Sequence, residues 1–311
     1  MNWNAGGQLR ACLQSIAAAR RSCFALGDVV IVDNASSDGS ADGLEAEGLT
    51  LRVIRNDRNR GFAAACNQGA ASLSAEPDYL LFLNPDTRLR AESLDAAVGF
   101  MEQAGHEGYA VYGCRMIDES GRTARSCARF PGAGTFVQKI LGLDNLLPRV
   151  FHGLHLTEWD HESDRDVDHV IGAFYFVRAV RFRALGGFDE QFFVYLEDLD
   201  FSLRVWRGGD RIRYSAAAAI EHKGGGTSEP IPVERVVYAL DSRLRYCEKH
   251  FSRRAAALVR LGTLYVEPLT RQVFALIRGV PNGPAEVRRA MRLLRDRRRM
   301  ASSAAIARAG R

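Results

Sequence analysis

The run Asp28-Val29-Val30-Ile31-Val32-Asp33 is the stretch whose reading decides the fold. Four consecutive β-branched residues between two carboxylates match a strand buried on both faces; a strand with one wet face would alternate. The cluster Asn34-Ala35-Ser36-Ser37-Asp38-Gly39-Ser40 follows directly and is rich in turn-forming and helix-capping residues. Working outward, residues 49–54 read as a second strand and 62–73 as a helix of small residues. Tyr79-Leu80-Leu81-Phe82-Leu83 is a third apolar strand, stopped by Asn84-Pro85-Asp86. Upstream, Leu9, Cys12, Leu13 and Ile16 recur at helical spacing. Strands alternating with helices at these intervals predict an α/β fold, a doubly wound, mostly parallel sheet flanked by helices. Ligands of such sheets bind beyond the carboxyl ends of the strands, where Asp33 and Asp86 fall.

Further along, residues 94–103 read as a helix, 110–117 as a strand, and 122–166 as a long irregular excursion with Gly, Pro and His throughout. Residues 167–179 and 212–220 are strand-like. A helix starts near Glu197 and ends at Gly208-Gly209. After Pro230 and Pro232 the chain turns helical and basic. The expected division is a catalytic α/β domain over 1–230 and a C-terminal helical extension over 231–311. No internal repeat is evident.

With 47% hydrophobic and 25% charged residues the composition excludes disordered and collagen-like classes for the main body. The net charge of +5 hides an asymmetry: from Arg245 onward sixteen Lys/Arg face four Asp/Glu, leaving the remainder net acidic. A basic end on an acidic body points to an anionic surface as partner, a membrane in preference to nucleic acid, or to a solvated helix face. Val273, Phe274, Leu276 and Ile277 with Arg271 and Arg278 form an amphipathic pattern, and the arginines of 288–299 could meet lipid headgroups. No apolar stretch of membrane-spanning length is free of charge. The six cysteines show no C-x-x-C spacing, which argues against zinc and redox motifs and for buried thiols in a reducing, cytoplasmic setting.

Three acidic positions carry the chemistry. Asp33 and Asp86 each follow an apolar strand; alone each is an ordinary turn former, but parallel strands bring such ends to one crevice. In Asn84-Pro85-Asp86-Thr87 the proline stiffens the turn and holds the Asp86 carboxylate at a defined angle, suited to a hard cation. Glu197-Asp198-Leu199-Asp200 opens a helix, where acids favour the dipole; three in four residues exceed what a cap needs and raise one another's pKa, as a general base requires. His222 precedes Lys223 and a glycine-rich segment that could wrap phosphates. Gly61, ahead of a helix, permits close approach of backbone to an anion.

The stretches NWNAGGQLRACLQSI from Asn2, VVIVDNASSDGS from Val29, NDRNRGFAAACNQG from Asn56, YLLFLNPDT from Tyr79, VIGAFYFVRA from Val170, LGGFDEQFFVYLEDLDFSLRVWRGG from Leu185, IEHKGGGTS from Ile220 and SRLRYCEKHF from Ser242 resemble, in order, the family-2 inverting glycosyltransferases of the GT-A fold. Within them the likeness is to the bacterial rhamnosyltransferase branch that builds cell-wall and surface polysaccharides. The resemblance implies that Asp33 and Asn34 hold the nucleobase or ribose. Arg60, Gly61, Phe62 and Asn67 would form the nucleotide pocket, and Asn84, Gly172 and Lys223 would complete the nucleotide-sugar site. Asp86 would bind Mg²⁺ or Mn²⁺ as the last residue of a D-x-D signature whose first Asp is here Asn84, with His222 as a further ligand. Asp198 would be the catalytic base and Glu197 its neighbour at the acceptor.

The expected reaction moves a sugar, rhamnose from dTDP-rhamnose first and a UDP-sugar next, to a hydroxyl of a glycan or lipid-linked acceptor. It would take place in the cytoplasm or on the inner face of its membrane. Two other readings compete: a nucleotidyltransferase, disfavoured because Gly6-Gly7 is too slight for its phosphate loop, and a degenerate sugar-nucleotide-binding scaffold. Family members carry a complete first strand ahead of the N-W-N segment, so residues upstream of Met1 are expected.

Overall fold

The computed structural model describes residues 1–223, 232–279 and 281–309. It forms two compact units. The first comprises Met1–Phe130, His155–Phe193 and Glu197–Thr227. In chain order its elements are α1 (Gln8–Ala18), β1 (Val29–Asp33), β2 (Leu51–Arg55), α2 (Phe62–Ala71), β3 (Tyr79–Leu83), β4 (Thr87–Leu89), α3 (Ser93–Met101), β5 (Tyr109–Ile117) and β6 (Cys127–Ala128). The second unit contributes α4 (Ala133–Ile140) and α5 (Leu143–Leu146). The first resumes with β7 (Arg165–Asp166), β8 (His169–Val170), β9 (Phe174–Arg178), α6 (Ala179–Ala184), α7 (Glu197–Arg207) and β10 (Arg211–His222). The second unit then holds α8 (Pro232–His250), α9 (Arg253–Leu261), a π turn (Gly262–Val266), α10 (Glu267–Ile277) and α11 (Gly283–Ala309).

The α/β expectation holds, with a mixed sheet. β1 and β2 pair in parallel, and β3-β9-β5-β10-β4 form a second sheet in that order. β5 and β10 are parallel, but β9 lies antiparallel to both β3 and β5 because the chain reverses before it. β4 also runs antiparallel to β10, setting His222 opposite Thr87. The core on one side of this sheet is aromatic, with Tyr175, Phe188, Phe201 and Tyr214 all almost fully buried. α3 packs Leu94, Ala97 and Met101 on the other side. Asn2 bridges to Asp33 in parallel, its N–H on Val32 O at 2.8 Å. Between β1 and β3 lies a cleft of about 820 Å³ lined by Val30, Val32, Leu81 and Leu83 among others.

The excursion read as irregular is partly helical. Phe136 and Ile140, one turn apart on α4, are both buried in the second unit, and this apolar pair outweighs the flanking glycines. The second unit is therefore not confined to the residues after 230. Its interior holds a charge pair: Arg243 donates twice to Glu267, at 2.7 and 3.1 Å, and Arg271 donates to the same carboxylate. Burial pushes the Glu267 pKa up, but the two guanidiniums hold it below the usual range. Five of the six cysteines are buried free thiols; Cys23 is exposed.

α2 begins at a forced glycine. Gly61 has φ +89°, and a Cβ there would collide with the carbonyl oxygen of Phe193 and lie 2.8 Å from that ring. The Phe62 N–H donates to the same oxygen at 2.6 Å. Gly105 has a similar φ of +86° with open space around it. In chemical denaturation Gly105→Ala should therefore cost about 1 kcal/mol of conformational strain. Gly61→Ala should cost at least about 3 kcal/mol, strain and collision together.

Candidate active site

Asp86 and His222 are 136 residues apart in sequence and meet because β4 and β10 pair antiparallel. Their nearest polar atoms, Asp86 Oδ2 and His222 Nε2, are 3.5 Å apart. Two ligands each about 2.1 Å from one small cation sit roughly 3–4 Å from each other, so this pair fits two positions of a divalent ion. Among the described residues no group of three His, Cys, Asp or Glu side chains forms a metal cage. That donor set, one carboxylate and one imidazole, leaves the remaining positions for water and phosphate oxygens, as Mg²⁺ prefers. The Asp86 carbonyl also accepts from the Lys223 N–H at 3.2 Å, while the Lys223 ammonium lies 3.6 Å from Glu119. The glycine-rich segment after Lys223 lies outside the described residues.

The second cluster sits at the start of α7. The Asp198 carboxylate is fixed from two sides: Gly172 N–H donates to Oδ2 at 2.7 Å and Leu199 N–H to Oδ1 at 2.8 Å. Gly172 has no Cβ where one would stand 3.1 Å from Asp198 Oδ2. The next residue, Ala173, accepts the Asn84 N–H at 3.1 Å. A continuous line of main-chain bonds thus ties the Asp198 carboxylate to the turn that carries Asp86.

Glu197 is buried, and its Oε2 has no hydrogen-bond partner. Burial first, and the charge of Asp198 second, push its pKa well above the ordinary glutamate range. Glu197 is thus driven toward its neutral form by burial and by its acidic neighbour. Asp200 does different work: it grips Arg204, whose other nitrogens bond the carbonyls of Leu185 and Gly187 and pin the turn before the helix.

Sequence reasoning missed His169. Its Nε2 lies 3.7 Å from Asp198 Oδ2, and its Nδ1 is 2.9 Å from Ser202 Oγ, which is 2.9 Å from the Tyr175 hydroxyl. Burial lowers the His169 pKa despite the nearby Asp198, so the ring is neutral and its contact with Asp198 is polar, not ionic. Only its place in the strand-like run three residues before Gly172 marked it; the i, i+4 pairing of Asp198 with Ser202 on α7 was the available signal.

The strand-end cluster around β1 is a separate knot. Asp33 accepts from Asn2 Nδ2 at 2.8 Å and from the Ser36 hydroxyl at 2.6 Å. Asn34 donates to Gly61 O at 2.9 Å and accepts from Asn56 Nδ2 at 2.8 Å, so it shapes the loop that carries Arg60 and Gly61. Arg60 is exposed, and Phe62 packs at the core's edge against Phe188. Asn67 stands apart from this loop. Both ends of its amide clamp Phe188, Nδ2 on the carbonyl and Oδ1 under the N–H, which makes it a brace for the Gly186-Gly187 turn.

Residues 2–152 match the family described as Glycosyl transferase family 2, and residues 79–247 match Glycosyl transferase family group 2. The chain is 27% identical over 205 residues to an N-acetylglucosaminyl-diphospho-decaprenol L-rhamnosyltransferase of Mycobacterium tuberculosis, covering 62% of this chain and 66% of that protein. It is 29% identical over 175 residues to rhamnosyltransferase WbbL of Escherichia coli, covering 55% and 62%. The match thus spans just under two thirds of these relatives' own lengths. In fold it is similar to the mannosyltransferase PcManGT of Pyrobaculum calidifontis, solved with GDP-Man and Mn²⁺, at 13% identity and a TM-score of 0.52, over 98% of this chain and 78% of the other. Because the second family match covers more than half of its residues, the chain belongs to the family 2 glycosyltransferases.

Proposed function

We propose that this glycosyltransferase inverts the anomeric centre of a nucleotide sugar, dTDP-rhamnose first, as it moves the sugar to a hydroxyl of a glycan or lipid-linked acceptor for cell-wall or surface polysaccharide. The observation that carries this reading is the Asp198 carboxylate, fixed by two backbone N–H groups and bonded through the main chain to the Asp86 turn. The names of the rhamnosyltransferase relatives support rhamnose as the sugar, and that of the Mycobacterium tuberculosis relative supports a lipid-linked acceptor. A membrane-held acceptor places the enzyme at the inner face of the cytoplasmic membrane, with an anionic surface as its second partner.

In this reading Asp198 takes the proton of the acceptor hydroxyl as that oxygen bonds to the anomeric carbon. The bond to the nucleoside diphosphate breaks on the opposite face, through an oxocarbenium-like state. Glu197, driven toward its neutral form by burial, can in that form donate a hydrogen bond beside Asp198. Asp33 and Asn34 shape the nucleotide end, with Arg60 and Lys223 available to phosphate oxygens. A divalent cation between Asp86 and His222 would neutralise the leaving diphosphate.

A coupled assay of nucleoside diphosphate release tests this. Metal-dependent release with dTDP-rhamnose is expected; pyrophosphate release would instead mark a nucleotidyltransferase, and no turnover a scaffold. Asp198→Asn should lower kcat by roughly 10²–10⁴-fold, the worth of a general base. Glu197→Gln, a neutral isostere of the protonated acid, should stay within about tenfold of wild type.

The same proton sets a pH dependence. A carboxyl whose folded pKa is raised stabilises fully below its unfolded value, near 4.5, and that stability is lost as pH rises through the folded pKa. Urea midpoints at about pH 5 and about pH 8 should therefore fall less for Glu197→Gln than for wild type.

Gly172→Ala tests the placement of Asp198, because the new methyl presses on Oδ2 while the N–H remains. Thermal stability should be nearly unchanged and kcat should fall roughly 10–100-fold. EDTA should abolish turnover and Mn²⁺ or Mg²⁺ restore it, and Asp86→Asn should raise the metal concentration needed at half-maximal rate by about tenfold or more.

A further inference from the structure

Helices α9 and α10, joined by the π turn, are built inside out. Their inward positions Val259, Thr263 and Glu267 are at most 1% exposed, and the last of these is a carboxylate held by Arg243 and Arg271. Their outward positions are apolar: Leu258, Leu261, Tyr265, Leu269, Val273 and Leu276 recur every three or four residues, with Leu269 64% and Leu276 69% exposed. Ile277 ends the stripe at 74% exposed. Most of the large exposed apolar side chains of the described residues belong to the second unit, including Leu146, Leu147 and Val150 beyond α4. The end of α4 joins this surface, since Thr270 donates to Ile140 O at 2.7 Å and Phe274 packs on Gly142.

A water-facing helix normally shows the reverse pattern. An apolar stripe of this length, roughly 30 Å for nineteen residues' rise, needs a partner. Its charge names the partner. Arg253, Arg254, Arg260 and Arg278 flank the stripe and are exposed, whereas the one acid between Ser252 and Gly279 is the buried, paired Glu267. Several arginines of α11 are engaged within the unit instead: Arg297 and Arg298 bond Asp241, Arg298 also bonds Glu248, and Arg289 bonds Glu234. No described helix is long and apolar enough to cross a membrane.

We propose that the outer face of α9 and α10 lies in the plane of an anionic lipid bilayer, its leucines, valine and isoleucine in the acyl boundary and its arginines on headgroup phosphates. Tyr265, apolar in body and polar at its tip, suits that boundary. The membrane-held acceptor of the previous section gives this face its use and rests on that reading; the face itself stands on the exposure and charge of the second unit.

Flotation of the full chain with vesicles tests it. Wild type should float with vesicles of phosphatidylcholine mixed with phosphatidylglycerol and less with phosphatidylcholine alone, and raised salt should weaken the difference. Leu269→Glu with Leu276→Glu should lower partitioning roughly tenfold or more. Replacing Arg253, Arg254 and Arg260 by Gln should remove the preference for the anionic lipid. Circular dichroism and donor turnover without vesicles, both unchanged, show that these variants fold.

Undiminished flotation of the Leu→Glu variant, or no flotation of wild type, overturns the proposal. Self-association of wild type that the variant abolishes, with no vesicle binding, overturns it in favour of a second copy on this face. Flotation without donor turnover sinks the transferase reading and leaves the surface, while turnover without flotation does the opposite.

Discussion

The bond from Gly172 N–H to the Asp198 carboxylate is the contact on which the rest of the site depends. It joins the end of the mixed sheet to the first turn of α7, two elements that local sequence would leave independent. Through Ala173 the same segment receives the Asn84 turn, so a shift in one strand end is felt by the Asp198 carboxylate and by the Asp86–His222 pair together. A glycine suits the position because a Cβ would stand 3.1 Å from the carboxylate oxygen and press it aside.

Crowding of acids is the electrostatic problem of this site. Glu197, Asp198 and Asp200 stand within four residues at a helix start. The fold separates them by environment. Asp200 is paired with Arg204, burial drives Glu197 toward its neutral form, and Asp198 is held by backbone donors. One helical turn thus holds a structural ion pair, a carboxyl driven toward its neutral form and a carboxylate gripped by main-chain donors, set apart by burial and partners. Tyr195 and Leu196, just before it, both take positive φ, a strain of about 1–2 kcal/mol per residue that non-glycine residues bear where a site demands it.

The second unit solves a different problem with the same means. Its buried Glu267 takes two guanidiniums, an arrangement costly to desolvate but tolerable when every oxygen is bonded. Fixing this polar face inward turns the apolar face of α9 and α10 outward.

Much of this was legible in the sequence. The apolar runs of β1 and β3, the stop at Asn84-Pro85-Asp86 and the acids opening α7 are local signals, set by side-chain periodicity and turn chemistry, and each appears where the pattern placed it. The irregular reading of the excursion failed because two glycines and a proline hid the short Phe136–Ile140 apolar pair. The antiparallel run of β9, the brace made by Asn67 and the contact of His169 with Asp198 could not be read there, and the meeting of Asp86 with His222 was implied only by the family resemblance. Each depends on strand order and register between segments far apart in the chain, and such pairing is decided by the packing of the whole core. The sequence by itself determined where β1, β3 and α7 begin and which acids crowd at their ends; only the tertiary structure decided which carboxyl is driven toward its neutral form and which face of a helix meets water, because burial is a property of neighbours brought together by folding.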